Sequence, residues 1–183
     1  MSHTTTTQDV TLGYPRVIRA SHSPETENSI FSADHDVTPF KFGPHNTGFA
    51  VFDSRDAIPV TNTDPIPSFP EAIPRTPPQG ATVCTVDFQP GSSSPMHRTL
   101  SIDYCIVVTG EILLRLDSGA ERVVKAGEYI IQEGANHQWF NNSEHVCRIF
   151  FVSLAANPIL SKEGQPLLPD LFQKEKELGI ESN

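Results

Sequence analysis

Proline sets the first limit on what this chain can fold into. Thirteen of its 16 prolines lie at or before Pro95, and none lies between Pro95 and Pro158. Proline has no amide donor and a locked φ, which bars it from helix interiors and central strands. The stretch IPVTNTDPIPSFPEAIPRTPPQG, 58–80, therefore predicts an extended arm crossing a surface. Upstream, PRVIRASH and GFAVFDS read as short strands, and ENSIFSADHD as a further strand with a turn.

From Gly80 the pattern changes. ATVCTVDF alternates Val83, Thr85 and Asp87 against Cys84, Val86 and Phe88, as a strand with two distinct faces does. Strands are predicted near 81–88, 97–108, 111–117, 120–125, 128–132, 136–140 and 146–154. The turns between them are short and carry glycine, as in TGE, DSGAE and KAGE. Many short, evenly spaced strands predict an all-β antiparallel sandwich or small barrel. Three regions follow: an arm with flanking strands over 1–79, a barrel core over 80–155, and a C-terminal loop and short helix over 156–183. The helix is expected from Asp170 as a cap and from the spacing of Leu171, Phe172 and Leu178.

Charge and cysteine content narrow the partners. A net charge of −9 without a basic run repels phosphate, which argues against nucleic acid and anionic membranes. No apolar run is long enough to span a bilayer as a helix, and the N-terminal stretch does not read as a secretory signal. Cys84, Cys105 and Cys147 form no CxxC pair. They are expected as buried thiols in a reducing, cytoplasmic setting. The sequon Asn141-Asn142-Ser143 reads as an ordinary turn.

Two segments concentrate polar chemistry. In GSSSPMHRTLSIDYCIVVTGE, His97, Thr99, Ser101 and Asp103 share one strand face, with Arg98, Leu100, Ile102 and Tyr104 on the other. If the apolar face looked inward, Asp103 would be an ordinary surface carboxylate. Cys105 is expected off the face of Asp103, packed in the core. In GEYIIQEGANHQWFNN, His137, Trp139 and Asn141 again alternate on one face. Two histidines and a carboxylate facing one pocket make the arrangement that binds a divalent metal with positions left open. Trp139 is expected to wall the pocket, and Asn141 to hold a turn through backbone bonds. His22, His35, His45 and His145 are expected at the surface.

The spacing of these residues resembles the cupin superfamily. Its first motif runs Gly, five residues, His, any, His, three or four residues, Glu, six residues, Gly. Here stand Gly91, His97, Thr99, Asp103 and Gly110 at those intervals, with Thr99 in place of the second histidine and Asp103 in place of the glutamate. The second motif is matched by Gly127, Gln132, Gly134, His137 and Asn141, one residue short early and with Gln132 in place of proline. The resemblance implies a jelly-roll-like small barrel with an extended, proline-rich N-terminal arm. It also implies a homodimer formed by exchange of N-terminal strands.

The ligand set implied is His97, Asp103 and His137 around zinc, iron or manganese, with affinity falling below about pH 6 as the imidazoles protonate. A metal-free alternative uses His97 and His137 as acid and base, with Asp103 setting the tautomer of one of them. Thr99, Ser101, Gln132 and Trp139 are the expected substrate contacts. The expected activity is non-redox lyase or isomerase chemistry: dehydration, decarboxylation or cyclisation of a small oxygenated, aromatic or polyketide-like acid or ketone. The alternatives are a non-haem iron dioxygenase on the same two-His, one-carboxylate site, and a non-catalytic ligand-binding barrel.

Overall fold

Short turns cut the chain into eleven strands and, among the described residues, no helix. The computed structural model describes residues 12–167 apart from Thr63, Ile66 and Pro70. The C-terminal helix expected around Asp170 to Leu178 lies outside the described residues.

The strands are β1 (Arg16–His22), β2 (Ser29–Asp36), β3 (Phe40–Phe42), β4 (Thr47–Arg55), β5 (Ala81–Phe88) and β6 (Ser101–Thr109), followed by β7 (Glu111–Leu116), β8 (Glu121–Lys125), β9 (Tyr129–Glu133), β10 (His137–Phe140) and β11 (Cys147–Ala155). All pair antiparallel. A six-stranded sheet runs β3-β4-β5-β11-β6-β9, a three-stranded sheet runs β10-β7-β8, and β1 and β2 form a separate ribbon. One core joins the two larger sheets. Val86, Phe88, Cys105, Val107, Cys147 and Ile149 enter it from the six-stranded sheet, and Ile112, Val124 and Trp139 from the three-stranded one. This is the all-β jelly-roll expected.

Local chemistry explains the strand ends. At Gly110, between β6 and β7, φ is +73°, and an added Cβ would sit 3.0 Å from the Val146 carbonyl oxygen. Only glycine accepts both the angle and the crowding. The proline-rich segment forms no strand among its described residues. It is pinned at its ends by Ile58 N–H donating to the Gln79 carbonyl (3.1 Å) and by Thr82 Oγ1 donating to the Arg75 carbonyl (3.3 Å).

The strand predicted over 97–108 begins instead at Ser101. His97 pairs only with His137 of the small sheet, whereas Ser101 onward pairs with β11 of the large one. Residues 98–100 are where the chain switches sheets, which breaks the ladder at a barrel corner.

On the outer surface Arg148 of β11 grips Asp87 of β5 through two bonds of 2.6 and 2.7 Å. Phe52 stacks on Phe150 there, with ring centroids 6.2 Å apart. The ribbon reaches this region through Arg19, whose Nη2 donates to the Phe52 carbonyl.

Candidate functional site

Register places the polar residues before any side-chain contact is considered. Directly opposed residues on neighbouring strands share a face. Across β9, β6, β11, β5 and β4 this aligns Gln132, Asp103, Ser153, Thr82 and Ser54 in a single row. The next row is Ile130, Cys105, Phe151, Cys84 and Val51, and beyond it lie Val107, Ile149, Val86 and Phe49. The inward face of the large sheet is thus polar at one end and apolar at the other.

Asp103 is 4% exposed, so the surface-carboxylate alternative does not hold. Thr99 Oγ1 donates to its Oδ2 at 3.0 Å and Ser101 Oγ to its Oδ1 at 2.7 Å. Hydroxyls donating to a carboxylate are among the stronger neutral-to-charged bonds. Cys105 lies two residues along the same strand and shares this inward face, contrary to the sequence expectation, because residues two apart in a strand face the same way. Its expected core packing does hold, at 1% exposure. Burial first, and then the charge of Asp103, push the Cys105 thiol well above its ordinary range and Cys84 up to about 12.

His97 and His137 meet where the two sheets join. Each backbone N–H donates to the other residue's carbonyl, at 2.9 and 2.8 Å. The ring centroids are 4.2 Å apart with planes inclined at 51°. His97 Nδ1 lies 2.9 Å from the Pro95 carbonyl, and His137 Nδ1 lies 2.9 Å from the Ala135 carbonyl. A carbonyl only accepts, so both rings carry a proton on Nδ1. The tautomers are therefore set by backbone carbonyls, and Asp103 takes no part in setting them. Burial, with repulsion from His97 second, lowers His137 from 6.5 to about 4. Trp139 closes the floor beside it, 5.4 Å from His137 in an edge contact and 6.2 Å from Phe151.

The expected ligand set can be judged on its donors. Two imidazoles with Nδ1 held by carbonyls have the chemistry of metal ligands. Each oxygen of the Asp103 carboxylate accepts one hydroxyl bond. Among the described residues no three His, Cys, Asp or Glu side chains converge as an ion would require. The described residues thus fit two protein donors, and not a three-residue set.

The other expectations divide. Thr99, Ser101, Gln132 and Trp139 all lie at this end of the barrel. Asn141 holds a turn, with Nδ2 donating to the carbonyls of Phe88 (2.8 Å) and His145 (2.7 Å). His22, His35, His45 and His145 are exposed. Sequence reasoning missed Ser153, Thr82 and Ser54. For the first two the signal was present: Ser153 is in phase with Cys147, Ile149 and Phe151, and Thr82 with Cys84, Val86 and Phe88.

Comparison with known proteins agrees with this architecture. Residues 84–153 match the family described as "Cupin domain". Phomopsin biosynthesis cluster protein C' of Diaporthe leptostromiformis is 42% identical over 107 residues, covering 56% of this chain and 57% of its own. Oryzines biosynthesis cluster protein J of Aspergillus oryzae is 37% identical over 84 residues, covering 45% and 47%. The cupin-domain-containing oxidoreductase virC of Hypocrea virens is 40% identical over 84 residues, covering 44% and 43%. The chain spans about half the length of the relatives it matches. The jelly-roll is built around this matched segment, residues 84–153, which is similar to cupin domains.

Proposed function

We propose that this chain is an enzyme of small-molecule biosynthesis that moves a proton next to a carbonyl group of an oxygenated acid or ketone. The observation that carries this reading is the His97–His137 pair. Both Nε2 atoms are bases, because both Nδ1–H groups are committed to backbone carbonyls. One imidazole takes a proton from the carbon beside the carbonyl. The other, or the same ring once the electrons have moved, returns a proton to carbon or to a leaving oxygen. His137 holds an added proton poorly, its pKa lying near 4, so it releases it readily. Dehydration and cyclisation of carbonyl compounds share the removal of this proton, and decarboxylation, which leaves an enolate when the C–C bond breaks, shares the return of one to carbon; a positioned acid or base contributes about 10²–10⁴-fold to such a step. The setting in biosynthesis is supported by the cluster proteins of similar sequence.

A second reading, oxidation supported by an iron ion, is favoured by the relatives described as oxidoreductases. An ion would be held here by His97 and His137, with water or substrate filling its remaining positions.

Two measurements separate the readings. In D₂O, NMR should show the protein accelerating exchange of the methyl hydrogens of acetophenone. His97→Ala and His137→Ala should each lower that rate by about 10²–10⁴-fold; exchange undiminished in both variants sinks the acid–base reading. Calorimetric titration with ferrous, manganous or zinc ion should show any binding abolished by either histidine variant and kept by Asp103→Asn. Binding lost in Asp103→Asn would restore the carboxylate to the ligand set. Tight binding of a carbonyl compound with no exchange and no oxygen uptake would leave a ligand-binding barrel.

A further inference from the structure

The polar row raises a question of hydrogen-bond accounting. Buried polar atoms almost always find partners. Asp103 takes two hydroxyl donors. Thr82 Oγ1 donates to the Arg75 carbonyl and lies 3.4 Å from Ser54 Oγ. Gln132 is 4% exposed, and its Oε1 takes the Cys105 thiol at 3.9 Å. Its Nε2, fully enclosed, has no acceptor among the described residues. The amide cannot exchange the roles of its two ends without loss. Exchanging them would forfeit the thiol's contact with Oε1, and the end left without a partner is Nε2. Two N–H donors are therefore left unmet on a residue whose position in β9 is paired with Asp103 of β6.

The charge of the row limits what they bind. Asp103 is its one acidic side chain, and neither this row nor the two apolar rows below it contain Lys or Arg. A ligand carboxylate placed on Gln132 would lie close to the Asp103 side chain with no Lys or Arg in these rows to offset it, a costly arrangement. An uncharged carbonyl oxygen accepts from Nε2 without that repulsion.

We propose that Gln132 is the substrate-anchoring donor of this site and that it selects neutral carbonyl compounds, ketones or amides, over carboxylates. The proposal deepens the proton-transfer reading, since it sets a carbonyl at the same end of the barrel as the histidine pair. Its test does not depend on turnover.

Isothermal titration calorimetry at pH 7 compares benzamide and acetophenone with benzoate. The wild-type protein should bind the two neutral probes at least tenfold more tightly than benzoate. Gln132→Met, a near-isostere without donors, should weaken the neutral probes at least tenfold. The same substitution removes the unmet donors, so in the absence of probe its Tm should rise by about 2–4 °C. A glutamine held only for structure would lower Tm when replaced and leave binding alone. The proposal is overturned if wild type fails to bind either neutral probe, if benzoate binds as well as they do, or if Gln132→Met lowers Tm with binding unchanged. His137→Ala, run in parallel, should keep probe binding. Loss of acetophenone exchange in that variant with binding retained would support the anchor independently of the histidine chemistry. Exchange that survives His137→Ala and His97→Ala while Gln132→Met loses binding would sink only the proton-transfer reading.

Discussion

His137 links the chemistry of one ring to the stability of the whole protein. In the folded state its pKa falls from 6.5 to about 4, so the native protein resists a proton that the unfolded chain accepts. Between about pH 6.5 and 4 the unfolded state binds more protons, and stability falls as pH is lowered through that window. The shift corresponds to roughly 3 kcal/mol. His137→Gln, neutral at every pH, should lose this component. Urea unfolding at a series of pH values, in the presence of a chelator, should show wild type losing about that much more stability than the variant from pH 7 to pH 4. Parallel pH profiles would contradict the lowered pKa. At this scale much was legible in the sequence: alternation placed His97, Thr99, Ser101 and Asp103 near one another, and Trp139 beside His137. Partners were not legible. Nothing in the order of residues says that Asp103 takes its bonds from Thr99 and Ser101 while two backbone carbonyls orient the imidazoles.

Strand boundaries were read to within a residue or two wherever glycine or a charged turn ended the strand, as at β5, β8 and β9. The exception is instructive. Alternation continues from His97 through Asp103, but the hydrogen-bonding partner changes midway, from β10 to β11. Alternation reports the direction of side chains and carries no information about which strand lies alongside. Cross-strand register was likewise out of reach, and it is register that sets Gln132 opposite Asp103. The Gly110 turn gives a test at this level. Gly110→Ala must adopt φ +73° while its Cβ meets the Val146 oxygen at 3.0 Å and Cys147 Cα at 3.2 Å. Those neighbours are backbone and cannot rotate away. A loss of about 2–3 kcal/mol is expected. Gly119→Ala, with φ +83° but open space around it, should lose only about 1 kcal/mol. Equal losses in urea titrations would show that crowding adds nothing at Gly110.

For the molecule as a whole, the barrel keeps its thiols inert. Cys84, Cys105 and Cys147 are buried and free. Burial, reinforced by nearby carboxylates, pushes all three upward, Cys84 and Cys147 to about 12. The thiolate is the reactive form. A thiol reagent such as dithionitrobenzoate should therefore label none of the three in the native protein and all three in denaturant; rapid labelling of any of them under native conditions would show an interior open to solvent. The order of strands has a separate consequence for synthesis. β11 stands at the centre of the large sheet, between β5 and β6, yet it is the last of the eleven to be made. Until Ala155 has left the ribosome, β3-β4-β5 and β6-β9 are two half-sheets with exposed edges and no seam between them. Such long-range closure is slow and leaves unpaired edges open to wrong partners. A nascent chain arrested before Cys147 should stay protease-sensitive and hold chaperones, and release of the final strand should fold the domain in one step.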